Sequence, residues 1–150
     1  MINKLFYFSL LSILILPLSS TASHVVGGEI GWKCLKNGKF QFYMSVYRDC
    51  SGIGFSYLNA TLNVSGASLP KDAANNSISS IILKPDSVRW SKFGDISPVC
   101  DDDSIGNKLL CSNGDVGSFQ QFFYISDTIQ LIGRPPRSSW TFSYEAPCCR

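Results

Sequence analysis

The feature that most constrains the fold of this chain is a run of alternating apolar residues broken by a glycine turn, Gly27–Gly52. Apolar side chains occupy even positions on both sides of the turn: Ile30, Trp32, Cys34, Phe40, Phe42, Met44 and Val46. A period of two is typical of β-strands that bury one face. The run therefore predicts a β-hairpin.

The length of the turn decides whether the two apolar sets lie on the same face of the hairpin. A two-residue turn at Asn37-Gly38 places them on opposite faces. A three-residue loop, residues 36–38, pairs Leu35 with Lys39 and places both sets on one face. Because a slip of one residue turns a whole strand over, the three-residue loop is predicted.

This loop fixes the cross-strand pairs of the hairpin. The expected pairs are Cys34 with Phe40, Trp32 with Phe42 and Ile30 with Met44. Trp32 is therefore expected to point inward, whereas Tyr43 and Tyr47 are expected on the opposite face.

The first residues have the layout of a secretory signal peptide. Lys4 supplies a positive charge, Leu5–Leu16 is a largely apolar run, and small residues after Pro17 suit cleavage after Ala22. The run is shorter than the roughly 20 apolar residues that span a bilayer. Residues 1–22 are therefore predicted to be a cleaved leader and the chain's only link to a membrane. Residues 23–150 are predicted to form one secreted or cell-surface domain.

Cysteines are the second strong constraint. All six follow the leader: Cys34, Cys50, Cys100, Cys111, Cys148 and Cys149. An even number in an exported chain indicates disulfides. In an unbroken hairpin Cys34 and Cys50 would lie about 30 Å apart, far beyond disulfide range. Cys100–Cys111 closes a short loop and is the expected bridge, and the remaining connectivity is left open.

The rest of the chain predicts further short strands separated by turn residues. These are Leu58–Val64, Ser77–Leu83, Val88–Phe93, Ser118–Ile125, Thr128–Ile132 and Trp140–Tyr144. Gly94–Gly117 is an irregular loop, and no helical period is present. The predicted fold is all-β: a disulfide-stabilised, antiparallel, immunoglobulin-like β-sandwich. A partly closed barrel is the alternative.

Composition and residue patterns argue against several classes of function. The formal net charge is +2 and no basic run stands out, so no nucleic-acid partner is expected. His24 is the single histidine and lies near a terminus, where it suits no catalytic triad. Asp101–Asp103 with Asp115 could supply oxygen ligands to calcium, but their spacing matches no calcium loop. No enzyme activity, metal or cofactor is predicted.

Aromatic residues suggest one alternative function. Exposed aromatic rings can stack on sugars, although in β-sandwiches they more often fill the core. On the predicted hairpin, Tyr43 and Tyr47 point away from the core and are the best candidates for a glycan-binding surface. The alternative to a structural role is therefore a carbohydrate-binding module.

Three segments carry a family resemblance: SHVVGGEIGWKC, FYMSVYRDCSG and the closing WTFSYEAPCCR. Together they resemble a recurring N-terminal module of large secreted surface proteins of Bacteroidetes, many with PKD-type repeats and gliding-motility-associated C-terminal regions. The resemblance implies an all-β, non-catalytic, exported module of a cell-surface or adhesive assembly, with protein or glycan partners. Such modules usually continue beyond the paired cysteines into further strands and repeats, so this chain is interpreted as a fragment, a truncated gene product or an isolated first domain.

Overall fold

The computed structural model describes residues 25–52, 54, 58–89, 94–98 and 109–146. These residues form short strands joined by turns, as the alternating pattern predicts. The strands are β1 (Val25–Cys34), β2 (Lys39–Asp49), β3 (Ala60–Ser65), β4 (Ser80–Pro85), β5 (Phe119–Ser126), β6 (Ile129–Gln130) and β7 (Thr141–Ser143). Two short 3-10 turns, Lys36–Gly38 and Cys111–Asn113, and a short helical segment at residues 87–89 accompany the strands.

All seven strands of the described residues belong to one antiparallel sheet. Its order is β1-β2-β5-β4-β3-β7, and the short β6 pairs with the start of β2. The all-β, antiparallel and disulfide-stabilised class is therefore confirmed. The division into two packed sheets of an immunoglobulin-like sandwich stays a prediction.

The sheet curls until distant strands touch. Phe42 on β2 and Phe142 on β7 have ring centroids 4.8 Å apart. These strands are four positions apart in the sheet, which in a flat sheet would separate them by about 19 Å. The curl encloses a core of ten buried residues: Phe42, Met44, Val46, Ala60, Leu62, Val64, Ile81, Leu83, Phe122 and Tyr124.

The hairpin has the predicted three-residue loop. Leu35 N–H donates to the Lys39 carbonyl at 2.7 Å, and residues 36–38 form the turn between them. Asn37 and Gly38 both adopt left-handed backbone angles, with φ of 62° and 68°. Asparagine and glycine tolerate this conformation best, which explains their place here. The predicted pairs are confirmed: Cys34 with Phe40, Trp32 with Phe42, and Ile30 with Met44.

Trp32 lies on the predicted face, opposite Phe42, but it is not buried there. Its side chain is 61% exposed, although its partner Phe42 is only 1% exposed. The reason is the place of β1 at the edge of the sheet, with β2 as its single strand neighbour. The strands that curl over the core cover β2 and leave the Trp32 end of β1 open.

Two further predicted strands are present with small changes in bounds. In β3 the residues Ala60, Leu62 and Val64 are buried and the residues between them are exposed. β4 begins at Ser80 rather than Ser77, and it is half-buried because Ile82 points to solvent. The strand expected at residues 88–93 lies mostly outside the described residues, and its described part, residues 88–89, is helical.

A disulfide joins Cys50, directly after β2, to Cys111, in the turn before β5, with a Cα–Cα distance of 5.2 Å. The expected Cys100–Cys111 bridge is therefore wrong. The pairing of β2 with β5 brings the two segments together, and Cys50 N–H donates to the Ser118 carbonyl at 3.0 Å. Short separation along the chain did not identify the bridged cysteines, because the pairing of strands in the sheet decides which cysteines lie close together.

Of the other four cysteines, the structure describes one. Cys34 is exposed and is the free cysteine of the described residues. The other three candidates, Cys100, Cys148 and Cys149, lie outside the described residues, as do the leader and its cleavage site. Within the part of the chain that the structure describes, no helix is long and apolar enough to cross a membrane.

Candidate binding surface

The two tyrosines singled out in the sequence lie on the outer face of β2. Phe42, Met44 and Val46 point into the core, so the alternate residues Tyr43 and Tyr47 point outward. The two tyrosines are four positions apart in the sequence, which is about 13 Å along a strand. Tyr43 is 41% exposed, whereas Tyr47 is half-buried.

The ring of Tyr43 lies over Gly31, its cross-strand partner on β1. A methyl group on Gly31 would overlap the Cζ, Cε2 and hydroxyl atoms of the tyrosine ring. The glycine therefore gives the ring a place against the backbone of the edge strand. An aromatic ring packed across a glycine in this way is a known device for stabilising edge positions in sheets.

Tyr47 is held by two polar neighbours. Its hydroxyl donates to Glu29 Oε1 and accepts from Gln121 Nε2, each at 3.1 Å. Burial raises the pKa of Tyr47, and the hydrogen bond to Glu29 and the charge of that carboxylate raise it further. The hydroxyl therefore stays neutral at physiological pH and links β1, β2 and β5 across the outer face.

Phe123 on β5 lies on the same outer face as the two tyrosines. It lies directly opposite Ser45, the buried residue between them on β2. The guanidinium carbon of Arg89 lies 5.3 Å from the centre of the Phe123 ring, in range for a cation–π interaction. We call the surface formed by Tyr43, Tyr47, Phe123, Glu29 and Gln121 the outer aromatic surface.

A cavity of about 310 Å³ lies at the open side of the curled sheet. One side is formed by β1 and β2, including Ile30 and Met44, and the other by Tyr144 and Ala146 beyond β7. Its lining is mainly apolar. We call it the edge cavity, because it adjoins the unpaired edge of β1.

The described acidic residues before β5, Asp95 and Asp115, accept hydrogen bonds from backbone N–H groups. Asp115 accepts a hydrogen bond from Leu110 N–H at 2.9 Å, and Asp95 accepts one from Cys111 N–H at 3.1 Å. The triplet Asp101–Asp103 lies outside the described residues, as does His24. Among the described residues, no group of three potential ligands is close enough to hold a metal ion.

Sequence reasoning missed parts of both sites for different reasons. Gly31 was detectable, because the predicted register already places it opposite Tyr43. Gln121 and Phe123 were not, because their positions depend on the pairing of β5 with β2. The edge cavity depends on how far the sheet curls, which no local pattern reports.

Comparisons with known proteins do not extend this description. No protein family model, no curated protein and no solved structure matches the chain.

Proposed function

We propose that this chain is an exported, non-catalytic β-domain that serves as a structural or adhesive module of a cell-surface protein. The observation that carries the proposal is the Cys50–Cys111 disulfide. It joins residues 61 positions apart and has a Cα–Cα distance of 5.2 Å, within the range of unstrained bridges. Structural disulfides of this kind form and persist outside the reducing cytoplasm.

Two properties of the sequence support the same proposal. The first residues have the charge, apolar run and small residues of an export signal. The segments around β1, the end of β2 and β7 resemble modules of Bacteroidetes surface proteins, including gliding-motility-associated ones. The partner would then be a protein or a glycan at the cell surface, with no nucleic acid and no lasting membrane contact.

Export is tested by expressing the tagged chain in a bacterium of that group. We expect the chain in the periplasmic, surface or secreted fraction, with residues 1–22 removed and Cys50 and Cys111 oxidised. Mass spectrometry of unreduced peptides measures both properties. A chain that keeps its first residues, or that carries both thiols free, would contradict export.

The adhesive role needs a separate assay. Cells that display the chain should attach to a host surface or to each other more strongly than cells that display the Cys50→Ala/Cys111→Ala variant. A variant lacking residues 1–22 serves as the control for display. Equal attachment by all three strains would leave only a structural role.

A specific observation favours carbohydrate binding as a second candidate function. The Tyr43 ring lies over Gly31, so one ring face packs against the strand while the side chain remains 41% exposed. Flat, exposed aromatic rings suit stacking on the apolar face of a sugar. Glu29, Gln121 and the Tyr47 hydroxyl lie on the same face and offer hydrogen-bonding groups for sugar hydroxyls.

A glycan array with matched variants tests this second candidate. Tyr43→Ala should abolish binding, whereas Tyr43→Phe keeps the ring and should retain most of it. Tyr47→Phe removes only the hydroxyl and should weaken binding by a smaller factor. No binding by the unmodified chain, or binding that is unchanged in Tyr43→Ala, would exclude this surface as a sugar site.

A further inference from the structure

β1 is an edge strand of the sheet formed by the described residues. Leu35 N–H bonds to Lys39 on β2, so the odd residues of β1 direct their backbone groups toward β2. The even residues, Gly28 to Cys34, direct theirs away from it. No strand of the described residues pairs with this edge. An edge of this kind is a template for strand addition.

Two side chains of opposite charge flank the middle of this edge. Glu29 and Lys33 are both exposed and lie on the same face, two residues before and two residues after Gly31. Charged residues usually protect an edge against pairing. Placed symmetrically about one residue with opposite signs, they instead complement a second copy of themselves.

We propose that β1 pairs edge to edge with β1 of a second copy of this chain, antiparallel and about a twofold axis at Gly31. Glu29 then lies opposite the partner's Lys33, and Lys33 opposite the partner's Glu29. Each dimer contains this ion pair twice, as the self-complementarity of a twofold interface requires.

The charges select this register over its neighbours. If the axis lies at Ile30, Glu29 lies opposite the partner's Gly31. If it lies at Trp32, Lys33 lies opposite the partner's Gly31. All three registers match outward-pointing backbone groups with one another. The axis at Gly31 is the one of the three that brings opposite charges together, and directly opposed unlike charges stabilise a strand pair.

The same register accounts for the exposed tryptophan and the edge cavity. Trp32 is 61% exposed, and the apolar cavity of about 310 Å³ is lined in part by Ile30. The proposed axis places the partner's Trp32 opposite Ile30, on the side of the strand that faces this cavity. Each tryptophan is thus buried against the other copy, and aromatic anchors of this kind dominate interface energetics.

The oligomeric state of the purified full chain tests the proposal by sedimentation velocity from low to high micromolar concentration. We expect a reversible dimer. Lys33→Glu replaces both ion pairs by pairs of carboxylates and should weaken the dimer about tenfold or more. Lys36→Glu makes the same charge change in the exposed loop beyond β1 and should leave the dimer unchanged.

Mixing two charge variants gives the sharpest test. Glu29→Lys alone should also weaken self-association, because it places two lysines opposite each other. Combined with Lys33→Glu, it forms a heterodimer in which both opposed pairs are again of unlike charge. Thermal unfolding of each variant confirms that it is folded. A monomeric wild-type chain, a Lys33→Glu variant that dimerises normally, or a mixture that stays monomeric would overturn the proposal.

The free cysteine provides one further discriminating measurement. In the proposed register the two copies of Cys34 are six residues apart along the strand pair, about 20 Å. They cannot form a disulfide with each other at that distance. Cys34→Ser should therefore keep the dimer, and loss of the dimer in this variant would show that the copies are joined through cysteine instead.

Discussion

The two strands of the hairpin have the same alternating pattern but differ in how deeply their apolar side chains are buried. On β2, Phe42 and Met44 are among the most deeply buried residues of the protein. On β1, their cross-strand partners Trp32 and Ile30 are exposed and half-buried. The two strands share one turn and one register, so neither local sequence nor pairing explains the difference.

The difference comes from the number of neighbours that each strand has. β2 lies between β1 and β5 and is covered by the curled end of the sheet, where Phe142 meets Phe42. Among the described strands, β1 has one neighbour, and its Trp32 end is exposed. An alternating apolar pattern therefore indicates which face of a strand is apolar. The position of the strand in the sheet decides whether that face is buried.

The largest expected effect compares Phe42 with Trp32. Phe42→Ala should lower the free energy of unfolding by roughly 3–5 kcal/mol, because it leaves a cavity in the packed core. For the monomer, measured at concentrations too low for self-association, Trp32→Ala should lower it by less than about 1 kcal/mol, because most of the side chain is in water there. Urea unfolding of both variants measures the two values. Similar losses would mean that β1 is as buried as β2.

The next effect compares the bridged Cys50, directly after β2, with the free Cys34, the last residue of β1. Cys50→Ala/Cys111→Ala should lower the free energy of unfolding by roughly 2–4 kcal/mol, because the bridge restricts a long loop in the unfolded chain. Cys34→Ala, at the end of β1, should leave stability nearly unchanged. Thermal and denaturant unfolding measure both. A large loss in Cys34→Ala would show that this thiol has a partner outside the described residues.

A smaller effect separates two glycines of β1. Gly31→Ala should lower the free energy of unfolding by roughly 1–2 kcal/mol, because the new methyl group displaces the Tyr43 ring. Gly27→Ala is the matched control, since nothing lies within 4 Å of its added methyl group. Equal stability of the two variants would show that the tyrosine ring does not rest on Gly31.

The smallest effect is a pH dependence of the contact between Tyr47 and Glu29. The pKa of Tyr47 is raised in the folded chain above its ordinary value of 10.0, by burial first and then by Glu29. Its contribution to stability is therefore complete below pH 10.0 and is lost as the pH rises through the folded pKa.

Melting temperatures between neutral and strongly alkaline pH measure this dependence. Tyr47→Phe, which cannot ionise at this position, should lose less stability over the same alkaline range. Glu29→Gln should reduce the dependence because it removes the carboxylate charge. A wild-type curve that is identical to that of Tyr47→Phe would contradict a raised pKa.

The structural features that depend on residues close together in the sequence could be predicted from it. The three-residue loop at residues 36–38 and the even positions of the apolar residues fix the hairpin register, and that register places Tyr43 opposite Gly31. The alternation in β3 and the strand at β5 follow from the same period of two. The position of Tyr43 in the candidate surface could be predicted for this reason.

What depends on long-range pairing could not be predicted. The partner of Cys111 follows from the alignment of β5 with β2, and the exposure of Trp32 follows from the place of β1 at the edge. Both require the strand order, which turn residues and periodicity do not specify. The edge cavity requires, in addition, the extent of the curl.

The Cys50–Cys111 bridge has a mechanical consequence for the chain when it is placed under tension. Tension applied to the chain on both sides of the bridge passes directly between the two sulfur atoms. The 61 residues of separation, which contain β3 and β4, are then shielded from the load. Roughly 200 Å of extended chain cannot be pulled out while the bridge is intact. Under tension β1, β2 and β5–β7, which lie outside the bridged segment, can extend, whereas β3 and β4 cannot unravel until the bridge is reduced.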